Sequence, residues 1–487
     1  MNSFAVDHLP DSVLVPNYDR AALTAGIVHI GVGNFHRAHQ SWYLHQLMQM
    51  GQAHDWAILG AGVRAGDAAM RERLLAQGCM TTLMMLDPAV QSAEVVGSMI
   101  DFLPVQPDNA ALIQAMAQPN IRIVSLTVTE GGYYLDPATQ GFDANHPDIQ
   151  HDATNPQQPK TAFGAMVEAL RLRHAAGTGP FTGMCCDNIQ GNGKILRQTV
   201  VSLARLSNPE LADWIYQNCS FPNSIVDCIV PATGQAELAK AQELGIDDAA
   251  PVTHERFRQW VIEDDFCQGR PAFEQVGVTF SDSVHDFETM KIRILNGGHQ
   301  VVSVLGELLH CATIADCLAH PAISALFRQV ALTEIAPYVV PVPGLSPGEY
   351  VELIHSRFSN PMIRDTTRRV AFDGSSRHPG FILPSVRAGL ARGESVSGLA
   401  LVEAAWAIMC LGQREDGTAI EANDPHWDAL QVSARAAQQD PMQWLRMRHI
   451  YGDLADSSSF SMAFVQAYQL IRQQGVVAAV ESYCGPL

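Results

Sequence analysis

The sequence predicts two architectures in one chain: an α/β domain built on a doubly wound parallel sheet, followed by a mostly α-helical domain. Two patterns and the length predict this. In the first half, short apolar runs at residues 27–30, 56–59 and 121–128 alternate with helical spacing, as in residues 38–50. From about residue 284 the pattern becomes long helical stretches, including 301–309, 399–411 and 460–472. A chain of 487 residues exceeds what one core supports, so two domains are expected, at 1–283 and 284–487.

Each element follows from local chemistry. The run Ile27-Val28-His29-Ile30 is β-branched and stops at Gly31, the order strand, glycine turn, helix. Residues 153–159 form a polar, proline-bearing loop. The strand expected at 181–184 leads into Cys185-Cys186-Asp187-Asn188, which puts Asn188 at a strand's C-terminal end, where such sheets bind ligands. In the second half, loops at 341–344 and 373–376 punctuate the helices.

Composition excludes several classes. With 47% apolar and 17% charged residues the chain reads as a packed globule rather than a disordered one. A formal charge of −19, from 31 Lys plus Arg against 50 Asp plus Glu, argues against nucleic acid as a partner. Residues 1–18 lack a basic segment followed by an apolar one, so no signal peptide is expected. No apolar run reaches the length of about 18 residues that a membrane span needs. Ten scattered cysteines without paired spacing read as reduced thiols, and the expectation is a cytoplasmic protein, monomeric or weakly homo-oligomeric.

Gly31-Val32-Gly33-Asn34-Phe35-His36-Arg37 follows a strand and opens a helix, the context in which glycines let a pyrophosphate approach the backbone. The fingerprint is incomplete, because His36 replaces its third glycine; Arg37 could supply charge instead, and a plain strand-to-helix turn also fits. Asp67 is the best available ribose ligand. Two alternatives fail. Gly193-Lys194 is followed by Ile195 where a P-loop needs Ser or Thr, and no Tyr stands four residues before any lysine, as short-chain reductases require. No metal is expected, since HExxH is absent and His36 with His39 has no evident third ligand.

Lys291 opens the run Lys291-Ile292-Arg293-Ile294-Leu295-Asn296-Gly297-Gly298-His299 and is one of only four lysines. In an α-helix, Asn296 would lie about 140° and His299 about 80° around from it, so all three fit one broad face. Such a lysine can act as a proton-transfer base when burial favours its neutral form. The run alone also fits a solvated lysine at the start of an apolar helix.

Six ordered blocks extend these motifs: GVGNFHRAH (31–39), TVTEGGY (127–133), CDNIQGNG (186–193), FPNSIVDCIVP (221–231), QWVIED (259–264) and KIRILNGGH (291–299). With them the chain resembles the polyol-specific long-chain dehydrogenase/reductase family, which includes mannitol 2-dehydrogenases and fructuronate and tagaturonate reductases. The resemblance spans nearly the whole chain. It implies a Rossmann-type domain that binds NAD through Gly31, Val32, Gly33, Asn34, Phe35, Arg37, Asp67, Thr129 and Glu130. It further implies metal-independent hydride transfer, with Lys291 as general base and Asn188 and Asn296 as an oxyanion hole. Asp227, His299, Arg369 and Arg377 match substrate-binding positions, and Glu288 matches a residue on the proton path to solvent.

Three positions depart from the family pattern. Cys228 replaces the usual Arg beside Asp227, Arg377 stands where Lys is common, and Gly66 replaces an acidic residue before Asp67. A forked guanidinium at 377 suits a carboxylate as well as hydroxyls. The expected function is NAD-dependent oxidation of an alditol to a ketose, D-mannitol to D-fructose or a relative such as D-arabinitol to its ketose. The alternatives are a hexuronate reductase and a non-catalytic NAD-binding sensor; the sensor would require the loss of Lys291 or of both asparagines.

Overall fold

The run AGIVHI becomes the central strand of the first unit because it is apolar on both faces, as a strand covered by helices on both sides must be. In the computed structural model, which describes residues 9–89, 92–136 and 141–486, the chain divides into two units, Met1–Val284 and His285–Leu487. Strands of the first unit are β1 (Val13–Leu14), β2 (Ala25–Ile30), β3 (Ala57–Ala61), β4 (Thr81–Met85), β5 (Ala93–Val96) and β6 (Met99–Phe102). They continue with β7 (Ile123–Leu126), β8 (Thr182–Cys185), β9 (Ser224–Asp227), β10 (Val252–His254), β11 (Gln259–Ile262) and β12 (Thr279–Phe280).

The main sheet has the order β6-β3-β2-β7-β8 and every pair is parallel. From β2 the chain winds outward through β3 and β6, then returns to build β7 and β8 on the other side. The reversal leaves a crevice at the carboxyl ends of β2 and β7, where such sheets bind ligands. Ile27, Val28 and Ile30 are wholly buried. Between them His29 is also buried, its ring nitrogens satisfied by Ser125 Oγ at 2.8 Å and Thr127 Oγ1 at 2.9 Å.

Two smaller sheets were not anticipated. β1-β5-β4-β10 mixes parallel pairs with the antiparallel pair β4–β5, and β12-β11-β9 contains the antiparallel pair β9–β11. The helix expected over 38–50 starts earlier, as Asn34–Ala38, and is interrupted at His39 (φ −119°, ψ −94°) before continuing as Gln40–Gln49. The strand expected over 121–128 is only Ile123–Leu126, because Thr127 and Val128 leave the sheet to start a turn.

In the second unit the expected helices are present as Gly297–Leu308, Ser397–Met409 and Ser458–Gln474. All but the first residue of Ser397–Met409 is buried, which accounts for its nearly unbroken apolar sequence. Among the described residues three π-helical turns interrupt the α-helices, at Lys291–Asn296, Ala331–Ile335 and His378–Ile382. Among the described residues no helix is long and apolar enough to cross a membrane.

Candidate functional site

The glycine turn sits at the end of β2. Gly31 has φ +98°, and a Cβ there would lie 2.2 Å from the Thr127 carbonyl oxygen, so no side chain fits. Gly33 caps the helix Asn34–Ala38 in extended backbone, and a Cβ there would meet nothing within 4 Å. Space at Gly33 is therefore open for a ligand to reach the backbone, as a dinucleotide requires. Asn34 Nδ2 donates to the Pro231 carbonyl at 3.0 Å and to Thr233 Oγ1 at 2.9 Å, and Phe35 stacks on His39. Val32 is buried beneath the turn.

Arg37 takes another place than a surface cation would. It is buried, and its guanidinium donates to the Gly33 carbonyl, to Asn34 Oδ1 and to the Ala250 carbonyl. Burial lowers its pKa to about 10, which leaves it charged at neutral pH. Its donors thus brace the turn from inside.

Beside the turn lies a cavity of about 320 Å³, lined by residues at the ends of β2, β3 and β7 together with Tyr134, Asp148, Lys160 and Thr161. Asp67 stands in the first turn of the helix Asp67–Ala76, beyond the place directly after β3 where a ribose-binding carboxylate is expected. Its Oδ2 accepts the backbone N–H groups of Val63 at 3.0 Å and Arg64 at 2.9 Å, leaving Oδ1 for other partners. Gly62 is required here, since a Cβ would lie 2.3 Å from that of Asp67.

The loop after β7 is held by a residue that sequence reasoning passed over. Asp187 accepts Val128 N–H through Oδ2 and Thr129 N–H through Oδ1, both at 3.0 Å, and the Tyr133 hydroxyl donates to Oδ2 at 2.6 Å. This clamp holds Thr129 at φ +70°, ψ 161°, a region that costs a β-branched residue about 1–3 kcal/mol and persists only where its surroundings impose it. The side chain of Glu130 lies outside the described set. Burial, then the neighbouring Cys185 and Asp187, pushes the Tyr133 hydroxyl far above the usual tyrosine range, so it stays a donor.

Asn188 follows Asp187 and is exposed beyond the end of β8. Asn192, buried, fixes that segment: its Nδ2 donates to the Asp187 carbonyl at 3.1 Å and the Ser224 carbonyl at 2.8 Å, and its Oδ1 accepts Ser224 N–H at 2.9 Å. Gly193 approaches the next block so closely that a Cβ would stand 2.4 Å from the Pro222 carbonyl oxygen. Asp227 ends β9, buried, opposite Gln259 of β11, with Cys228 buried beside it. Nothing in the sequence outside these blocks marks Asp187 or Asn192, since a carboxylate serving backbone N–H groups has no spacing signature.

In the second unit Lys291 is buried and opens the π turn Lys291–Asn296. This corrects the α-helical expectation of about 140° between Lys291 and Asn296. A π turn bonds i to i+5 and holds about 4.4 residues, so these two residues lie closer around the axis than in an α-helix and share one face. Gly297 and Gly298 then let neighbouring groups in: a Cβ at Gly297 would meet the Phe381 carbonyl oxygen at 3.1 Å, and one at Gly298 would meet the Phe327 ring at 2.6 Å. His299 stacks on Phe358 with ring centroids 4.1 Å apart. Glu288, one turn before Lys291, lies 3.4 Å from His285.

Arg369 is exposed and makes a two-pronged ion pair with Asp365, at 2.5 and 2.7 Å. Arg377 donates to the Val370 carbonyl at 2.6 Å. The following residue, His378, is wholly buried; its Nδ1 pairs with Glu403 at 2.7 Å, and Glu403 also accepts the Tyr451 hydroxyl at 2.7 Å. The ring stacks on Trp406 at 4.1 Å, so the turn that carries Arg377 is anchored in the core. Among the described residues there is no group of three or more His, Cys, Asp or Glu that could hold a metal ion.

A strand-end crevice open at Gly33 and a lysine sharing a π-turn face with an amide suit a nicotinamide-nucleotide-dependent oxidoreductase. Comparison with known proteins narrows the class. The mannitol dehydrogenase Rossmann domain matches residues 25–275 and the mannitol dehydrogenase C-terminal domain matches residues 283–472. The chain belongs to the mannitol dehydrogenase family. It is 54% identical over 472 residues to a mannitol 2-dehydrogenase of Cereibacter sphaeroides, covering 97% of this chain and 99% of that one. The Pseudomonas fluorescens mannitol 2-dehydrogenase, solved as a ternary complex with NAD and D-mannitol, superposes with a TM-score of 0.85 at 40% identity, over 99% of this chain and 98% of that one. A substrate-free D-sorbitol dehydrogenase gives a TM-score of 0.92 at 35% identity, over 97% and 98%.

Proposed function

We propose that this protein interconverts an alditol and its ketose, with D-mannitol and D-fructose as the foremost pair and D-arabinitol as a related substrate. It is an NAD-dependent polyol dehydrogenase. In the proposed division of labour, residues 1–283 hold the cofactor, while 284–487 carry the base and most substrate contacts. The observation that carries the mechanism is the π turn, which sets a buried lysine and an amide on one face.

NAD, held at the glycine turn of the first unit, would accept the hydride from the carbinol carbon. Lys291 Nζ, neutral, takes the hydroxyl proton as the hydride leaves. Asn188 and Asn296 donate amide N–H groups to the same oxygen, favouring its alkoxide-like form in the transition state. Glu288 relays the proton from Lys291 to solvent. Asp227, His299, Arg369 and Arg377 orient the polyol hydroxyls.

The names of the relatives favour an alditol over a hexuronate, and the D-sorbitol dehydrogenase extends the substrate class to a second hexitol. The test is initial rates with D-mannitol, D-arabinitol and D-sorbitol in oxidation, and with D-fructose and D-fructuronate in reduction. D-Mannitol and D-fructose should give the highest kcat/KM; a dominant rate with D-fructuronate would replace this reading with the hexuronate one. Only a neutral amine accepts a proton, so oxidation should rise with pH and then level off.

A further inference from the structure

The cavity beside the glycine turn is lined by as many cations as carboxylates. Asp67 is the carboxylate expected to meet the adenosine ribose, but its Oδ2 is already bound by two backbone N–H groups at 3.0 and 2.9 Å. Those donors offset part of its negative charge. Gly66, next to it, adds none. Two cations line the same cavity, Arg64 and Lys160, together with one further carboxylate, Asp148.

Among the described residues the Arg64 guanidinium meets only the Val128 carbonyl, at 3.4 Å, and the Lys160 side chain has no hydrogen-bond or ion-pair partner. Lys160 is fixed at its backbone instead. Its N–H donates to Asp152 Oδ1 at 2.7 Å, directly before Thr161, whose hydroxyl caps the helix Ala162–Ala176 by accepting Gly164 N–H at 2.9 Å. Its Cα is thus rigidly placed while its ammonium stays unpaired. A pocket that rejects a ribose 2′-phosphate presents uncompensated negative charge. Here two carboxylates, one of them bound by backbone donors, face two cations.

We infer that Lys160, with Arg64, receives the 2′-phosphate of a nucleotide, so that this adenosine pocket accepts both NADP-type and NAD-type ligands, and that Lys160 sets the ratio between them. This rests on the cofactor-binding reading of the first unit and is independent of which polyol reacts. The test uses the full chain and two probes without a nicotinamide, 5′-AMP and 2′,5′-ADP, titrated calorimetrically in the absence of sugar.

The quantity read is the dissociation constant of 2′,5′-ADP divided by that of 5′-AMP. Lys160→Ala should raise it about five-fold, the size of a partly exposed charge contact, and Lys160→Glu should raise it further. Lys160→Arg, which keeps the charge, should hold it within about two-fold of the unmodified protein. The proposal is overturned if Lys160→Ala moves the ratio less than two-fold, or if the unmodified protein does not bind 2′,5′-ADP. Failure of both probes to bind would instead remove the cofactor-site reading.

Discussion

Gly33 and the pair Gly297-Gly298 do opposite things. At the end of β2, the missing side chain of Gly33 leaves a space that no protein atom fills within 4 Å. After the π turn, the spaces at Gly297 and Gly298 are taken by the protein itself, through the Phe381 carbonyl and the Phe327 ring. Glycines in similar sequence settings can therefore mark a surface kept open for a ligand or a joint closed by packing. What separates them is whether the helix begins at the glycines, as at Asn34, or passes through them, as at Gly297.

This contrast can be tested from its strongest consequence downward. The π-turn segment is proposed to carry chemistry, so Lys291→Ala should lower turnover by about 10²–10⁴, the range of general acid–base catalysis, while NADH binding persists. Fluorescence titration of NADH alongside steady-state rates checks both halves, and near-normal turnover would strip the segment of its proposed role. Asn296→Ala, and likewise Asn188→Ala, should lower kcat by about 10²–10³ with little change in substrate affinity. A change confined to KM would make either amide a binding group.

The glycines themselves come next. Gly298→Ala should lose about 1–3 kcal/mol of stability through overpacking against Phe327. Gly33→Ala, in extended backbone with open space, should stay within about 0.5 kcal/mol of the unmodified protein and weaken NADH binding instead. Denaturation midpoints and NADH titrations of both variants, compared side by side, would erase the contrast if they came out alike.

Acid stability separates the two segments in another way. Burial lowers the pKa of His29 and of His254 to about 3. The unfolded chain takes up these protons below about pH 6.5 and the folded one does not. Stability from this source is complete above that pH and falls as pH drops toward 3, by about 1.4 kcal/mol per unit for each histidine. Hydrogen exchange at pH 5.5 should quicken in β2 and β7 before it does in the helix Gly297–Leu308.

Much of this was legible in the sequence, for identifiable reasons. β2, β3, β7 and β8 are buried on both faces, and burial of that kind leaves short unbroken apolar runs. β1 and β12 have two residues each and give no periodic signal. The first helix starts directly after Gly33, ahead of the apolar spacing from Ala38 that marked it in the sequence. Lys291, Asn296 and the two glycines were visible as residues, but their relative placement was not. A π turn differs from an α turn by one residue in register, and apolar spacing over six residues does not separate the two. Asp187 escaped notice because its partners are main-chain groups.

The grip of Asp187 on the loop after β7 also bears on motion. Two successive backbone N–H groups and a tyrosine hydroxyl converge on one buried carboxylate, so the segment carrying Thr129 cannot swing without leaving all three contacts unpaired at once. Active-site lids come from weakly held segments that open at little cost. This one is held as a fixed sill, and the amides of Val128 and Thr129 should exchange slowly for loop residues.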